Sequence, residues 1–259
     1  MPDPVTLRRR AVSGFTELAI IIAGVLIALW ADQWWTDRQD LKTQGTYLAA
    51  LDDDISKTVD SLRELVSDLE AWRDAASTLS RWPQDEPAPA ADEITVMIGK
   101  GLFQMASLET RLAAYEDLKT TGRLGLISDA DLRRNLAQVD QLLQDIRTSE
   151  ADLWATQHIT IDPYLLAHTD MVAVAKAAGQ AYARDVDEIK ELGLPTGAEL
   201  IGDPVGLDPT PLVRDPVFRG LLAFRLVLLA EAVVRYRRLE VLLLEIQGQI
   251  ASARGESGA

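Results

Sequence analysis

The chain has 259 residues, a formal charge of −14 and no cysteine. That length allows one or two domains with a real core. The acidic balance disfavours non-specific attraction to nucleic acid or to an anionic lipid surface, and the missing thiols exclude a disulfide framework and thiol catalysis.

Leu and Ala are abundant and β-branched alternation is scarce, so the elements are predicted to be helices. The first is apolar: Leu18 to Ala31 is an unbroken run fenced by Glu17 and Asp32. The run spans only about 21 Å as a helix, short of a hydrocarbon core of about 30 Å. Taken from Ser13 to Trp35 the helix reaches about 34 Å, enough to cross with both ends at the interfaces. Glu17 and Asp32 then lie near the two headgroup regions, where charge costs less than at mid-membrane. Trp30, Trp34 and Trp35 form an interfacial anchor at the far end.

A cleaved export signal is the competing reading, because Arg8, Arg9 and Arg10 precede the run. A cut after Ala31 would put Leu29, not a small residue, three positions upstream, and Glu17 intrudes where a signal's apolar region begins. An uncleaved span fits better than either a signal or a buried soluble helix. Three arginines before it, against Arg38 and Lys42 after it, make the N-terminal side cytoplasmic. Glu17, Gly24, Ala28 and Trp35 project on one side of this helix. Gly24 and Ala28 are a small-xxx-small pair that lets a second helix approach, so these four residues are the predicted association face.

From Leu41 the sequence keeps a seven-residue repeat. Leu41, Leu48, Ile55, Leu62, Leu69 and Ala76 form one series, and Gln44, Leu51, Thr58, Leu65, Trp72 and Leu79 the second. This a/d seam predicts a long helix packed in a bundle or coiled coil, continuous with the span. Asp52, Asp53 and Asp54 point in different directions around such a helix and read as a solvated face.

The helix is predicted to stop near Arg81, before the Pro- and Ala-rich stretch Trp82 to Asp92. Shorter helices follow, from Glu93 to about Gln104 and then one ending near Thr121, with Gly122 as a left-handed cap. Ser128 and Asp131 fit a capping-box-like start, and Leu132, Leu136, Val139, Leu143 and Ile146 carry the next stripe, to about His158. Prolines and glycines then break the pattern from Ile159 to Pro216. Asp215-Pro216 opens the last helix. Its seam is Phe218, Arg225, Ala232, Leu239 and Ile246, alternating with Leu222, Leu229, Tyr236, Leu243 and Ile250. The section LLAFRLVLLAEAVV is apolar, but Arg225, Glu231 and Arg235 interrupt it too often for a second span.

The expected fold is all-α: an N-terminal transmembrane helix continuing into an elongated antiparallel bundle. Residues 1–12 are the cytoplasmic tail, 13–35 the span, 36–253 the helical extracytoplasmic domain with an irregular segment at 159–216, and 254–259 a disordered tail.

Two stretches carry a family resemblance. ELAIIIAGVLIAL, with the tryptophans after it, resembles the N-terminal anchor of a bacterial family of single-span membrane proteins of unknown function. Glu17 matches the Glu that opens its span, Gly24 to Leu29 its Gly-x-Leu-Ile-Ala-Leu-like core, and Trp34 or Trp35 its closing Trp. YEDLKTTGRLGLISDADLRRNL is similar to the family's central motif, with Tyr115, Glu116, Leu118 and Gly122 at the Tyr-Glu-x-Leu and Gly positions. DPVFRGLLAFRL is similar to the start of its C-terminal helix. The resemblance implies a topology and brings no chemistry.

Nor do the residues themselves suggest an enzyme. His158, Asp162, His168 and Asp170 invite a metal reading, yet Pro163 and the absence of regular ligand spacing oppose it. Gly99-Lys100-Gly101 lacks the P-loop spacing and its Ser/Thr, and there is no Gly-x-Ser-x-Gly elbow. No cofactor or metal is expected. Tyr115, Leu118 and Leu112 at helical spacing read as a buried structural joint. The expected function is a membrane-anchored helical scaffold or interaction protein of the bacterial inner membrane, partnered by itself or by a neighbouring membrane protein. The alternative is a ligand-sensing extracytoplasmic bundle that signals laterally.

Overall fold

The computed structural model describes residues 4–181 and 202–256, with side chains described over 22–179 and 202–254. The described residues are helical, with no strand among them. One helix, α1 (Pro4–Ser80), runs unbroken for 77 residues, about 115 Å at the usual rise. No proline or helix-ending glycine interrupts it after Pro4, and the seven-residue repeat gives its lower half a continuous face to bury.

That burial begins abruptly. Leu41 is 63% exposed and Leu48, one repeat later, is 3% exposed. From Leu48 to Leu79 the first series is fully buried, and in the second only Leu65 is half-covered. Leu41, the first member of its series, stands above the bundle, while Gln44, the first of the other, is half-buried at its edge. Val59 and Val66, in neither series, are buried too. The extra row arises because α1 meets one long helix and, beside it, shorter helical segments, and a helix facing neighbours on two sides needs a wider apolar stripe than a two-stranded seam.

The other long helices are α4 (Ala130–Thr156) and α7 (Pro216–Glu256), and α7 packs against both α1 and α4. All ten residues of the two α7 series are buried, Arg225 included. The α1–α7 pair is antiparallel: Arg254 reaches Asp52, Gln247 donates to Ser56 at 2.8 Å, Arg63 pairs with Glu240 at 2.8 Å, and Arg237 reaches Glu70. Helix α4 also runs opposite to α7, with Asn135 donating to Glu245 at 2.9 Å and Tyr236 to Glu150 at 2.6 Å. Between them lies the larger core, from Leu48 to Trp72 on α1 and Leu229 to Ile250 on α7.

A second core occupies the far end. Ala76 and Leu79 of α1 and Phe218 and Leu222 of α7 pack there with α2 (Ala91–Gly101), α5 (Asp162–His168) and α6 (Met171–Ala181). Arg225 is buried between the cores, its guanidinium donating to the Gln104 carbonyl. The glycines of Gly99-Lys100-Gly101 are contact points here. A Cβ on Gly101 would lie 2.8 Å from the Ala76 nitrogen, and one on Gly99 would lie 3.0 Å from α6 backbone.

Three local expectations are corrected. Asp129, not Ser128, caps α4, accepting from the Asp131 and Leu132 N–H groups at 2.8 and 3.1 Å; the helix starts one residue later than a Ser128–Asp131 box requires. The chain after His158 is not irregular at first. A π-turn (Gln157–Ile161) joins α4 to α5, with the Asp162 N–H bonding the Gln157 carbonyl five residues back. This widened turn accommodates Pro163, which has no N–H to give. The segment then stays helical through α6, apart from the break at Thr169 and Asp170, while 182–201 lies outside the described residues. Finally, α7 continues to Glu256, past the expected start of a disordered tail.

Gly101→Ala is predicted to destabilise the protein by about 1–3 kcal/mol, because the methyl meets α1 backbone rather than a side chain that can rotate away. Its denaturation midpoint should drop clearly below that of Gly125→Ala, where a Cβ meets nothing within 4 Å; equal midpoints would refute the close-contact role.

Candidate functional site

The most unusual surface is the part of α1 that stands clear of the bundle. Every described residue from Ile22 to Lys42 is exposed, a shaft of about 31 Å. It presents Val25, Leu26, Ile27, Leu29, Trp30 and Trp34 to its surroundings on all sides. Leaving each in water forgoes roughly 1–2 kcal/mol relative to burial. The sum, on the order of 10 kcal/mol, rivals the whole stability of a domain. A lone helix of this length also gains little from its own hydrogen bonds. The shaft therefore calls for an apolar surrounding.

Gly24, Ala28 and Trp35 of the predicted association face lie on this shaft, all exposed, and a Cβ on Gly24 would meet nothing within 4 Å. The Glu17 side chain lies outside the described residues. Trp30, Trp34 and Trp35 cluster at the lower end, where the Arg38 guanidinium sits 5.5 Å over the Trp34 ring. Among the described residues no helix is long and apolar enough to cross a membrane. The side chains of residues 13–21, the first part of the predicted span, fall outside that description.

Below the shaft, α1 is clasped by a polar joint built around the central motif. Tyr115 and Leu118 of α3 (Ala113–Thr120) are buried, Glu116 is exposed beside Lys119 at 3.2 Å, and Gly122 takes φ 69°, the left-handed conformation that ends the helix without Cβ strain. Burial raises the Tyr115 phenol well above its usual range, and its hydrogen bond to Asp140 adds to this. Helix α1 supplies the rest. Asp54 accepts the Ala114 N–H at 2.7 Å and Thr58 the Arg111 N–H at 3.3 Å, which satisfies donors at the start of α3. Tyr47 donates to Asp117 at 2.7 Å while Arg123 donates to the Tyr47 oxygen at 3.2 Å, and Gln44 donates to Ser128 at 3.1 Å. Asp54 is thus not merely solvated, and Thr58, read as a seam member, is a buried acceptor. Neither role has a sequence signature, because the partner amides lie more than fifty residues away.

Tyr47, Ala50, Asp54, Ala114, Asp117 and Arg123 line an open cleft at this joint. Its polar groups are engaged with one another and with backbone, and no nucleophile–base pair is among them. The two histidines are also occupied locally. His158 Nδ1 lies 2.6 Å from Asp162, with Trp154 edge-on to its ring, while His168 Nδ1 bonds the Tyr164 carbonyl at 2.8 Å and its ring stacks on Tyr164. Among the described residues no group of His, Asp and Glu is arranged to hold a metal ion. The Tyr164 hydroxyl donates to Asp215 at 3.0 Å, and burial pushes its phenol up to about 12.

Asp170 is engaged by backbone. It caps α6 through the Val172 and Ala173 N–H groups and holds the returning chain by accepting the Gly206 N–H at 2.7 Å. Burial would raise its carboxyl, but the backbone donors outweigh this and hold it below the usual carboxylate range.

No protein-family model matches the chain, and neither a curated protein nor a solved structure matches it.

The depressed Asp170 carboxyl fixes a sign. Its contribution is fully present above the unfolded value of about 4 and is lost as pH falls through the lower folded value. Asp170→Asn is predicted to cost about 1–3 kcal/mol at pH 7 by breaking a buried charge-assisted cap. It should also lose less stability than the parent between pH 4 and the acid transition, as read from urea midpoints on a pH series. Parallel curves for the two proteins would refute the assignment.

Proposed function

We propose that this protein is a single-span, membrane-anchored helical scaffold whose bundle stands off the bilayer on the α1 shaft. The exposed apolar shaft from Ile22 to Trp35, continuous with the spine of the bundle, carries this reading. Joined to the preceding apolar residues, it makes the run from Ser13 to Trp35, long enough to cross. The tryptophans and Arg38 sit where an interface would be. With the arginine-rich segment inside, the bundle lies outside the cytoplasm, and the resemblance to the single-span family supports the same topology. Water-filled surroundings would leave the shaft as a large uncovered apolar surface, whereas lipid tails cover it on all sides at once.

A scaffold role follows from how the polar side chains are used. At the joint and around both histidines they cap helices and tie segments together, as in a load-transmitting frame. The partner is a second membrane-associated chain, either this one or a neighbour.

Full-length protein is expected in the membrane pellet after alkaline carbonate extraction, with a reporter fused at Ala259 active only outside the cytoplasm. Leu26→Arg adds about 3 kcal/mol to the insertion cost at mid-span and should move much of the chain to the soluble fraction with its bundle intact by circular dichroism. An extractable parent protein, or a cytoplasmic reporter signal, would overturn the proposal.

A further inference from the structure

The foot of the shaft changes character below the tryptophans. Trp35, Arg38, Gln39, Lys42, Thr43 and Thr46 line an open groove of about 560 Å³ there, within the size range of small-ligand sites. They form two rows on one face of α1, Arg38–Lys42–Thr46 and Trp35–Gln39–Thr43, because residues four apart stack along a helix. Among the described residues no carboxylate lines this groove, and neither Arg38 nor Lys42 has an ion-pair partner. Asp37 and Asp40 project from the other side of the helix, where Asp37 accepts from Gln33 at 2.8 Å. Asp32 flanks the upper end on the Gln39 side, away from the Arg38–Lys42 row. In a chain of net charge −14 the groove is thus a local site of opposite sign.

Its two ends differ. At the lower end Thr43 and Thr46 also line the cleft of the polar joint, where Arg123 adds a third cation. The two carboxylates of that cleft are already engaged, Asp54 by the Ala114 N–H and Asp117 by the Tyr47 hydroxyl, both at 2.7 Å. At the upper end the same face of α1 continues past Trp35 as Ala31, Ala28 and Gly24, a lane of small side chains, and a Cβ on Gly24 would meet nothing within 4 Å. The Arg38 guanidinium leans toward this end, 5.5 Å over the ring of Trp34 one turn above it.

We propose that this groove binds an anionic glycerophospholipid, its phosphate held between Arg38 and Lys42 and an acyl chain lying along the Ala31–Ala28–Gly24 lane. The assignment rests on the membrane anchorage proposed above, which sets the hydrocarbon edge at the tryptophans. Arg38 and Lys42 then start about 4 and 10 Å beyond Trp35 along the axis. Both side chains tilt toward the N-terminal end of the helix, so their charged groups reach a headgroup layer about 5–7 Å thick. Phosphate oxygens accept from a guanidinium and an ammonium in short charge-assisted bonds. The Trp35 indole N–H and the Gln39 amide remain for ester and headgroup oxygens. Thr43 donates to the Gln39 carbonyl at 2.9 Å and keeps its lone pairs for a headgroup hydroxyl. A zwitterionic headgroup fits less well, because its ammonium finds no carboxylate in the groove and only engaged ones in the cleft below.

Full-length protein, taken from membranes into mild detergent, is titrated with dioctanoyl phosphatidylglycerol and followed by native mass spectrometry. One bound lipid per chain is expected. Arg38→Gln and Lys42→Gln should each weaken binding about tenfold, the effect of losing one charge-assisted bond. Lys57→Gln, which removes an exposed cation lower on the same helix, should leave binding unchanged. Inorganic phosphate and dioctanoyl phosphatidylcholine are then added as competitors, and neither should displace the lipid at matching concentration. Displacement by inorganic phosphate would show a site for the free anion, and equal binding of phosphatidylcholine a site blind to headgroup charge; either overturns the proposal. Unchanged affinity in both glutamine variants overturns it too. Carbonate extraction of the same chains separates this proposal from the anchorage. A pelleted chain whose lipid binding ignores Arg38 and Lys42 keeps the anchor and discards the site. An extractable chain that still binds the lipid through them keeps the site and discards the anchor.

Discussion

The antiparallel packing of α1 on α7 is the interaction on which the other parts rest. Both cores are strung along it: the larger one between Leu48–Trp72 and Leu229–Ile250, the smaller between Ala76–Leu79 and Phe218–Leu222. Helix α4 closes one flank, and α2, α5 and α6 fill the far end. Within this seam Glu240 is nearly buried. Burial would raise its carboxyl, but Arg63 and Arg237 overcome that and hold it below its usual range. A buried carboxylate that must reach two guanidiniums from different helices tolerates little sliding, so the pair fixes register more than it adds stability.

The parts governed by period are legible in the sequence. Both series of α7 face inward along their whole length, and the stripe of α4 from Leu132 to Ile146 does the same. The turn at Gly122 was readable because a helix commonly ends on a glycine in the left-handed conformation, where other residues pay a Cβ penalty. What escaped sequence reading depends on residues far apart in the chain. Asp54 and Thr58 look like solvent-facing and seam residues until α3 places its amides over them. Gly99 and Gly101 lie within a predicted helix and show no reason to be glycine until α1 and α6 come within contact of their α-carbons. The π-turn before Pro163 has no pattern of its own, since a shift of one hydrogen-bond step leaves the residue types unchanged. Along α1 the repeat was clear but its upper limit was not: Leu41 continues the spacing, and only the ends of α4 and α7 determine that nothing meets it.

Many of the described polar groups are spent on holding the fold together. Buried or half-buried acids serve backbone amides or arginines: Glu150 receives the Leu108 amide and the Tyr236 hydroxyl, Asp170 three backbone donors, and Asp215 the first turn of α7. Such groups tie segments together that are far apart in the chain. The surfaces left over are apolar faces of helices, which fits association with lipid or with other helices.

The unbroken course of α1 makes it a lever as well as a wall. From Trp35 to Ser80 it extends about 68 Å. If its lower half stays rigid against α7, a tilt of about 5° at the tryptophans sweeps Ser80 through about 6 Å, more than the rise of a full helical turn. Were the shaft to sit in a bilayer as proposed, a change in thickness that tilts it would swing the remote core as a whole through about the length of a side chain.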